Sequence, residues 1–190
     1  MTIAFSSSSP IASVALIDDE GRVICERSQE ARQNASGALL DMLDALLSES
    51  GRTLGDVRLF AADLGPGSFT GVRVGVTVCK TMAYAVAVQV IGANAFDLID
   101  RKGPVAIPSR KGEHFLRLPG SPPATTLDLP EGAVGYGAAF ESPQYPTAKG
   151  FAPLLKTSEP QDPEHMVPLY IAEPSISTPK DPRVSGGPIA

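Results

Sequence analysis

Residues 65–87 constrain the fold of this chain more than any other stretch. The stretch opens on a turn that reads Gly65-Pro66-Gly67-Ser68-Phe69-Thr70-Gly71. An apolar run at 57–64 precedes the turn and has the length and composition of a buried strand. After the turn, Arg73, Thr77 and Tyr84 recur at helical spacing. The sequence therefore predicts a strand, a glycine turn and a helix.

The predicted helix carries small residues at every fourth position. These are Gly71, Gly75, Cys79, Ala83 and Ala87. On a helix they form a ridge with almost no side-chain height, so that another backbone can approach closely.

Composition limits the classes of function open to this chain. With 190 residues, 43% of them hydrophobic and 19% charged, the chain is long enough for one domain or two small lobes with a packed core. The net charge of −5 and a pI near 5.0 argue against direct binding of nucleic acid, which needs a basic patch.

Cysteine usage and hydropathy predict a soluble, cytoplasmic protein. Cys25 and Cys79 are far apart and form no CxxC pair, which fits a reducing compartment. No basic residue precedes Arg22, so we expect no signal peptide. The longest apolar run, 82–93, is interrupted by Gln89 and is too short to span a membrane.

The order of elements predicts the fold class. Three strands at 2–5, 11–17 and 22–27 form an antiparallel meander, and a helix from Ser36 to a terminal Gly51 follows. The strand at 57–64, the second helix and a strand at 88–92 complete the series. This order is that of an α/β, ribonuclease H-like lobe with a mixed sheet, the building block of the actin-like (ASKHA) group.

The first helix has an unusually broad apolar face, formed by Leu39, Leu40, Met42, Leu43, Leu46 and Leu47. Two interpretations stay open. The face packs on the sheet of its own chain, or part of it contacts a helix of another chain.

Composition changes near Gly103 and predicts a second, loop-rich lobe. Of the 18 prolines, 16 lie between Pro104 and Pro188. We expect an N-terminal lobe at 1–103, a shortened second lobe at 104–173 and an extended or disordered tail at 174–190. Short strands are predicted at 105–107, 114–118 and 133–136, with a short helix at 147–155.

The glycine turn is open to two interpretations. A glycine-rich turn at a helix N-terminus presents free N–H groups to an anion, but no GK[ST] or GxGxxG motif is present, and Arg73 is the first cation. Alternatively, the glycines let the strand turn sharply into a closely packed helix. Ser68 and Thr70 are then caps of that helix.

The inventory of reactive side chains argues against an enzyme. His114 and His165 are isolated, so no metal-ligand pair is predicted, and no histidine is placed to activate Ser68. An actin-like active site needs an acidic residue in the first hairpin, where this chain has serines at 6–9. We therefore expect no catalytic residue, cofactor or metal.

The run from Gly65 to Gly75, followed by Lys80 and Ala83, closely resembles the signature of the bacterial TsaB (YeaZ) family. Residues 109–113 and the sequence Pro168-Leu169-Tyr170 resemble two further family segments. The similarity is dense over 2–100 and thin beyond. Two features depart from the family pattern: this chain has Ser6-Ser7 where the family commonly carries Asp-Thr, and its second lobe is shortened.

This resemblance implies a non-catalytic scaffold subunit in the synthesis of threonylcarbamoyladenosine on tRNA. The implied partners are a TsaD-like catalytic paralogue and a TsaE-like ATPase, with tRNA bound only through the complex, no membrane, and a homodimer when the chain is alone. The two helices of the first lobe would form the contact. The expected interface residues are Leu39, Leu40, Leu43, Leu46, Leu47, Gly71, Gly75, Cys79, Met82 and Ala83.

Three alternatives remain open at this stage. The first alternative is an actin-like nucleotide-dependent phosphotransferase, and the second is a glycoprotease-type hydrolase. The third is a homodimeric paralogue with a different partner. ATP turnover, peptide cleavage and concentration-dependent mass distinguish these from the scaffold.

Overall fold

The computed structural model describes residues 1–30, 34–110 and 112–171. The predicted tail at 174–190 lies outside the described residues.

Five strands form the first sheet: β1 (Thr2–Ser6), β2 (Ile11–Ile17), β3 (Val23–Glu30), β4 (Leu59–Asp63) and β5 (Gln89–Ala93). Their spatial order is β3-β2-β1-β4-β5. The first three strands pair antiparallel, whereas β4 pairs parallel with β1 and β5. Ala4 in the central strand lies opposite both Ala15 and Ala61. A meander followed by parallel crossovers confirms the predicted ribonuclease H-like fold class.

Three α-helices accompany this sheet: α1 (Ala35–Ser50), α2 (Phe69–Val86) and the short α3 (Ala95–Ile99), which the sequence did not predict. α1 begins after Asn34 rather than Ser36, because the Asn34 side chain accepts a hydrogen bond from the Gly37 N–H at 3.2 Å. Among the described residues, none of the helices is both long and apolar enough to cross a bilayer.

The two long helices cover one face of the first sheet and enclose the main core. α1 packs on β2, β3 and α2, while α2 packs on β1, β4 and β5. Phe5 and Phe60 stack at the centre of this layer with 6.1 Å between ring centroids. The broad leucine face of α1 follows from this position, because one helix contacts two strands and a neighbouring helix at once.

A second, smaller sheet contains β6 (Val105–Pro108), β7 (His114–Arg117), β8 (Ala124–Thr126) and β9 (Val134–Gly135), in the order β8-β7-β6-β9. β8 was not predicted, because three residues after a Pro-Pro pair carry no periodic signal. Short 3₁₀ turns lie at Leu54–Asp56, Ala148–Phe151 and Pro163–His165. The second of these stands where a short helix was predicted at 147–155.

Residues after the second sheet return to the first. The Ala148 N–H donates to the Ser13 hydroxyl at 2.8 Å, and Phe151 is fully buried against the face of the first sheet opposite α1 and α2. Both faces of the first sheet are therefore covered. The division of the chain at residue 103 stays a prediction.

Candidate functional site

The last residue of β1 and the loop that follows it, which together we call the serine loop (residues 6–9), are almost completely buried. The Ser6 and Ser8 hydroxyls donate to one oxygen of Asp63 at 2.8 and 2.5 Å. The Ser7 hydroxyl donates to the Gly71 carbonyl at 2.8 Å. These hydrogen bonds are made within the chain and hold the serine loop against β4 and the start of α2.

Asp63, at the end of β4, is a fully buried carboxyl group. Burial raises its pKa, while hydrogen bonds from Ser8, Gly65 and Ser6 oppose the rise. One oxygen accepts the two serine hydroxyls and the other accepts the Gly65 N–H at 2.8 Å. Asp63 therefore ties the serine loop to the glycine turn.

The glycines of the turn allow the serine loop to approach closely. The Ser68 N–H donates to the Ser8 carbonyl at 2.6 Å. A Cβ added to Gly67 would lie 2.1 Å from the Ser8 carbonyl oxygen, and one added to Gly71 would lie 2.0 Å from that of Ser7. Gly67 also has a φ of 159°. Backbone contact within the chain accounts for these glycines, which supports the structural interpretation of the turn.

The small-residue ridge of α2 faces the interior of its own chain. Gly71 and Gly75 lie against Ser7, and a Cβ on Gly75 would be 2.7 Å from the Ser7 hydroxyl. Cys79 and Ala83 are fully buried. The prediction that these four residues contact a partner is corrected, because the serine loop and the sheet already occupy the space above the ridge.

Four leucines of the predicted interface are also buried, namely Leu39, Leu43, Leu46 and Leu47. They pack in the main core, so their assignment to a partner contact is corrected as well. Leu40 points outward and is 39% exposed, and Met82 is half-buried. Of the ten predicted interface residues, only these two retain surface that a partner can reach.

The outward face of α2 carries a different set of side chains. The Arg73 guanidinium lies over the Phe69 ring at 4.2 Å and donates through Nε to the Tyr170 hydroxyl at 3.2 Å. The rings of Phe69 and Tyr170 are 5.6 Å apart. We call Phe69, Arg73, Tyr84 and Tyr170 the aromatic patch, whose three rings are between 45% and 58% exposed.

The chain after residue 165 runs along this outward face. Lys80 Nζ donates to the carbonyl oxygens of Glu164 and Met166 at 3.3 and 3.1 Å. This contact places the Pro168-Leu169-Tyr170 segment beside α2, where Tyr170 completes the aromatic patch.

A cleft of about 470 Å³, which we call the serine cleft, opens between the first sheet's helices and the second sheet. Its wall includes residues 7–10, the first turns of α1 and α2, Pro108 and Tyr136. None of its lining residues among those described is charged. Asp63 lies close by but does not line the cleft.

The remaining reactive side chains do not assemble into a site with the serine cleft. Burial raises the pKa of the Cys79 thiol, which disfavours the reactive thiolate.

Among the described residues, one group of side chains could hold a metal ion: Asp162, Glu164 and His165 present ligand atoms within 4.8 Å of one another. All three are exposed, and exposed acidic groups commonly lie this close without an ion.

Sequence reasoning missed Asp63 and Tyr136. Asp63 is the next-to-last residue of the run at 57–64 that was assigned to an apolar strand, although a carboxyl group two residues before a glycine turn was a visible signal. Tyr136 directly follows β9 of the second sheet, about 70 residues along the chain from the glycine turn. No local pattern indicates that β9 places it beside that turn.

Comparisons with curated proteins identify relatives along part of the chain. The chain is 33% identical over 97 residues to tRNA threonylcarbamoyladenosine biosynthesis protein TsaB of Escherichia coli, covering 48% of this chain and 39% of that protein. It is 29% identical over 104 residues to the protein of the same name in Bacillus subtilis, covering 54% and 45%. The chain thus spans about two fifths of the length of the curated relatives it matches.

A family profile described as "TsaD: tRNA N6-adenosine threonylcarbamoyltransferase" matches residues 25–101. Two solved structures match most of the chain. One is described as an uncharacterized protein with similarity to peptidase YEAZ from Pseudomonas aeruginosa, with a TM-score of 0.78 and 23% identity over 90% of this chain and 99% of the other. The second, YeaZ from Pseudomonas aeruginosa, has a TM-score of 0.74, 23% identity and coverage of 89% and 99%. These matches include the second sheet and establish the fold.

Proposed function

This chain belongs to the TsaB (YeaZ) family, and we propose that it is a non-catalytic scaffold subunit in the synthesis of threonylcarbamoyladenosine on tRNA. The observation that carries the proposal is the aromatic patch on the outward face of α2. Three of its four residues, Phe69, Arg73 and Tyr84, lie on α2 within the matched residues 25–101, and its rings are exposed in the single chain.

The partner we propose is a TsaD-like catalytic paralogue. Tyrosine and arginine are among the side chains that most often dominate binding energy at protein interfaces, and the patch brings Tyr84, Arg73 and Tyr170 onto one surface. Leu40 on α1 extends the apolar surface of the helical layer. In this proposal the interface uses the outward side chains of both helices and not the buried leucines.

The described residues of the serine cleft support a non-catalytic role. Among the described residues, no histidine, lysine, arginine or carboxylate lines the cleft. An acyl or phosphoryl transfer site needs an activated nucleophile, a base or a charged clamp. We propose that the TsaD-like subunit supplies that chemistry.

The other components follow from the same proposal. A TsaE-like ATPase docks on the pair, and tRNA is bound through the complex, because a chain with a net charge of −5 is poorly suited to bind a polyanion alone. The assembly acts in the cytoplasm, and the chain forms a homodimer when no paralogue is present.

Sedimentation of the full chain, alone and mixed with the TsaD-like paralogue of the same organism, tests the scaffold. We expect a stable complex with the paralogue, and for Tyr84→Ser a weaker one. Leu127→Ser is the matched control, because Leu127 is 69% exposed but lies in the second-sheet region. Equal affinity of the two variants for the paralogue would mean that the aromatic patch is not the binding surface.

The enzymatic alternatives are tested on the same protein. We expect neither ATP turnover nor peptide cleavage by the chain alone. The non-catalytic role would be contradicted if ATP turnover or peptide cleavage persisted through purification and was lost when a residue of the serine cleft was substituted.

A further inference from the structure

A groove runs along the outward face of α2, between that helix and the chain at 166–170. Its volume is about 450 Å³, and its wall includes Arg73, Lys80 and Tyr84 of the helix. Residues of the segment opposite, among them Tyr170, form the other wall. We call this space the α2 groove. Three of the four residues of the aromatic patch therefore line it.

The charged side chains that line the α2 groove are both cations. Arg73 and Lys80 line it, and no aspartate or glutamate does so among the described residues. The Arg73 guanidinium contacts the Phe69 ring and the Tyr170 hydroxyl, while Lys80 Nζ donates to two carbonyl oxygens. Within the described part of the chain, neither cation forms an ion pair with a carboxylate. Two uncompensated positive charges thus stand together on a chain whose net charge is −5.

Acidic side chains close to the groove in the sequence do not neutralise it. α2 itself contains no aspartate or glutamate. Asp162 and Glu164 precede the segment at 166–170, but neither lines the groove. The Glu164 carboxylate lies 3.6 Å from Nε2 of His165 instead. The groove is therefore open to carboxylates from outside the chain.

The neighbouring helix has the opposite charge. α1 contains Asp41, Asp44 and Glu49, all exposed, and no lysine or arginine. Charge thus divides the outward surface of the helical layer into an acidic helix and a basic helix. A segment that carries carboxylates is repelled by α1 and attracted to α2, which fixes where such a segment would lie.

We propose that the α2 groove receives an acidic segment of the TsaD-like partner, whose carboxylates pair with Arg73 and Lys80. This inference rests on the scaffold function proposed above and adds the chemistry of the partner's surface. The two cations are seven residues apart on one face of the helix, which corresponds to a rise of about 10 Å. We therefore expect two carboxylates about 10 Å apart in the partner, with the rings of Tyr84 and Tyr170 in contact with apolar atoms of the same segment.

The affinity for the TsaD-like paralogue at two salt concentrations tests the charge of the groove. Arg73→Gln combined with Lys80→Gln removes both charges, and a glutamine at position 80 can still donate to a carbonyl oxygen. We expect this double variant to bind about tenfold more weakly at about 0.05 M salt. At about 0.5 M salt the difference from the wild type should narrow to about threefold or less, because salt screens exposed charge pairs.

Arg101→Gln combined with Lys102→Gln is the matched control. It removes the same two charges from exposed positions that do not line the groove. We expect its affinity for the paralogue to stay within about twofold of the wild type at both salt concentrations. A loss equal to that of the groove variant would mean that net charge alone, and not the α2 groove, governs binding.

Zero-length cross-linking of the complex tests the contact itself. A carbodiimide joins a carboxylate to an amine without a spacer, so Lys80 Nζ should couple to an aspartate or glutamate of the paralogue that mass spectrometry identifies. Lys80→Arg keeps the positive charge but offers no amine. This variant should bind the paralogue and lose that cross-link, and the exposed Lys102 outside the groove should form none.

Failure of this inference differs from failure of the scaffold function. The acidic segment would be ruled out by a complex whose affinity depends neither on salt nor on the substitutions at positions 73 and 80. It would also be ruled out if Lys80 coupled to no carboxylate of the paralogue. In both cases the complex itself still forms, whereas the absence of any complex would overturn the scaffold function and this inference together.

Discussion

The two faces of the helical layer formed by α1 and α2 differ in every respect that matters to function. The inner face carries glycine, alanine, cysteine and leucine residues that are buried on the sheet and the serine loop. The outer face carries Phe69, Arg73 and Tyr84, which remain exposed. Both faces show helical periodicity in the sequence. Periodicity therefore identifies a face, but not what covers it.

The small-residue ridge illustrates the difference. Spacing of four residues predicts that a backbone approaches α2 closely, and this prediction is confirmed by the contacts of Gly71 and Gly75 with Ser7. The approaching backbone belongs to the same chain. A pattern of small residues has the same form in both cases, because the sterics of close approach do not depend on which chain approaches.

The largest effect is expected in the core beneath α1. Leu43→Ala removes a side chain that is 1% exposed and should lower the free energy of unfolding by about 2–5 kcal/mol. Leu40→Ala, on the same helix but 39% exposed, should cost far less. Denaturant unfolding measures both. Similar losses of unfolding free energy in the two variants would contradict the distinction between a buried inner face and an exposed outer face of α1.

A bulky substitution on α2 tests the same distinction through overpacking. Gly75→Leu forces atoms into the space held by the Ser7 hydroxyl and should cost about 1–3 kcal/mol of unfolding free energy, or more. Thr77→Leu, on the exposed side of α2, should change stability by no more than about 0.5 kcal/mol. If Gly75→Leu folded with wild-type stability and lost only partner binding, the ridge would face the partner after all.

The buried carboxyl group beneath the glycine turn predicts a pH dependence. Burial raises the pKa of Asp63 above the ordinary 3.8, so the folded chain holds this proton more tightly than the unfolded chain. Its contribution to stability is therefore greatest below pH 3.8 and falls as the pH rises toward the folded-state pKa.

Asp63→Asn is the comparison that isolates this effect, because the other carboxyl groups cancel in the difference. The stability of the wild type relative to Asp63→Asn, measured by denaturant unfolding, should decline as the pH rises through that window. A relative gain in wild-type stability over the same window would contradict the raised pKa.

The smallest effect on stability is expected on the outer face. Arg73→Ala removes the stacking on Phe69 and the hydrogen bond to Tyr170, and exposed cation–π contacts contribute roughly 0.5–1 kcal/mol. Thermal unfolding should therefore shift only slightly, while affinity for the TsaD-like paralogue falls. A large loss of stability would mean that Arg73 fastens the segment at 166–170 to α2 as a structural element.

Local signals were sufficient for much of the fold. The strand at 11–17, the end of α1 at Gly51 and the Ser68 cap of α2 are confirmed, because alternation, a left-handed glycine and a capping hydroxyl are properties of neighbouring residues. The parallel pairing of β4 with β1 agrees with the rule that a strand after a helix crossover returns parallel to the strand before it.

The site depended on contacts between distant parts of the chain. Asp63 meets the serine loop across more than 50 residues, and Tyr136 reaches the cleft from the second sheet. The burial of the α1 leucines depended on how many elements surround that helix. Tertiary packing decides these features, and a single sequence carries no periodic signal for them.

The dissociation constant of the complex with the TsaD-like paralogue tests the central claim most directly. Phe69→Ser combined with Tyr84→Ser removes two exposed rings from the outer face and leaves the inner face unchanged. We predict an affinity lower by roughly 30-fold or more, about 2 kcal/mol, with a nearly unchanged unfolding temperature. Wild-type affinity in this double variant would contradict the assignment of the outer face as the binding surface.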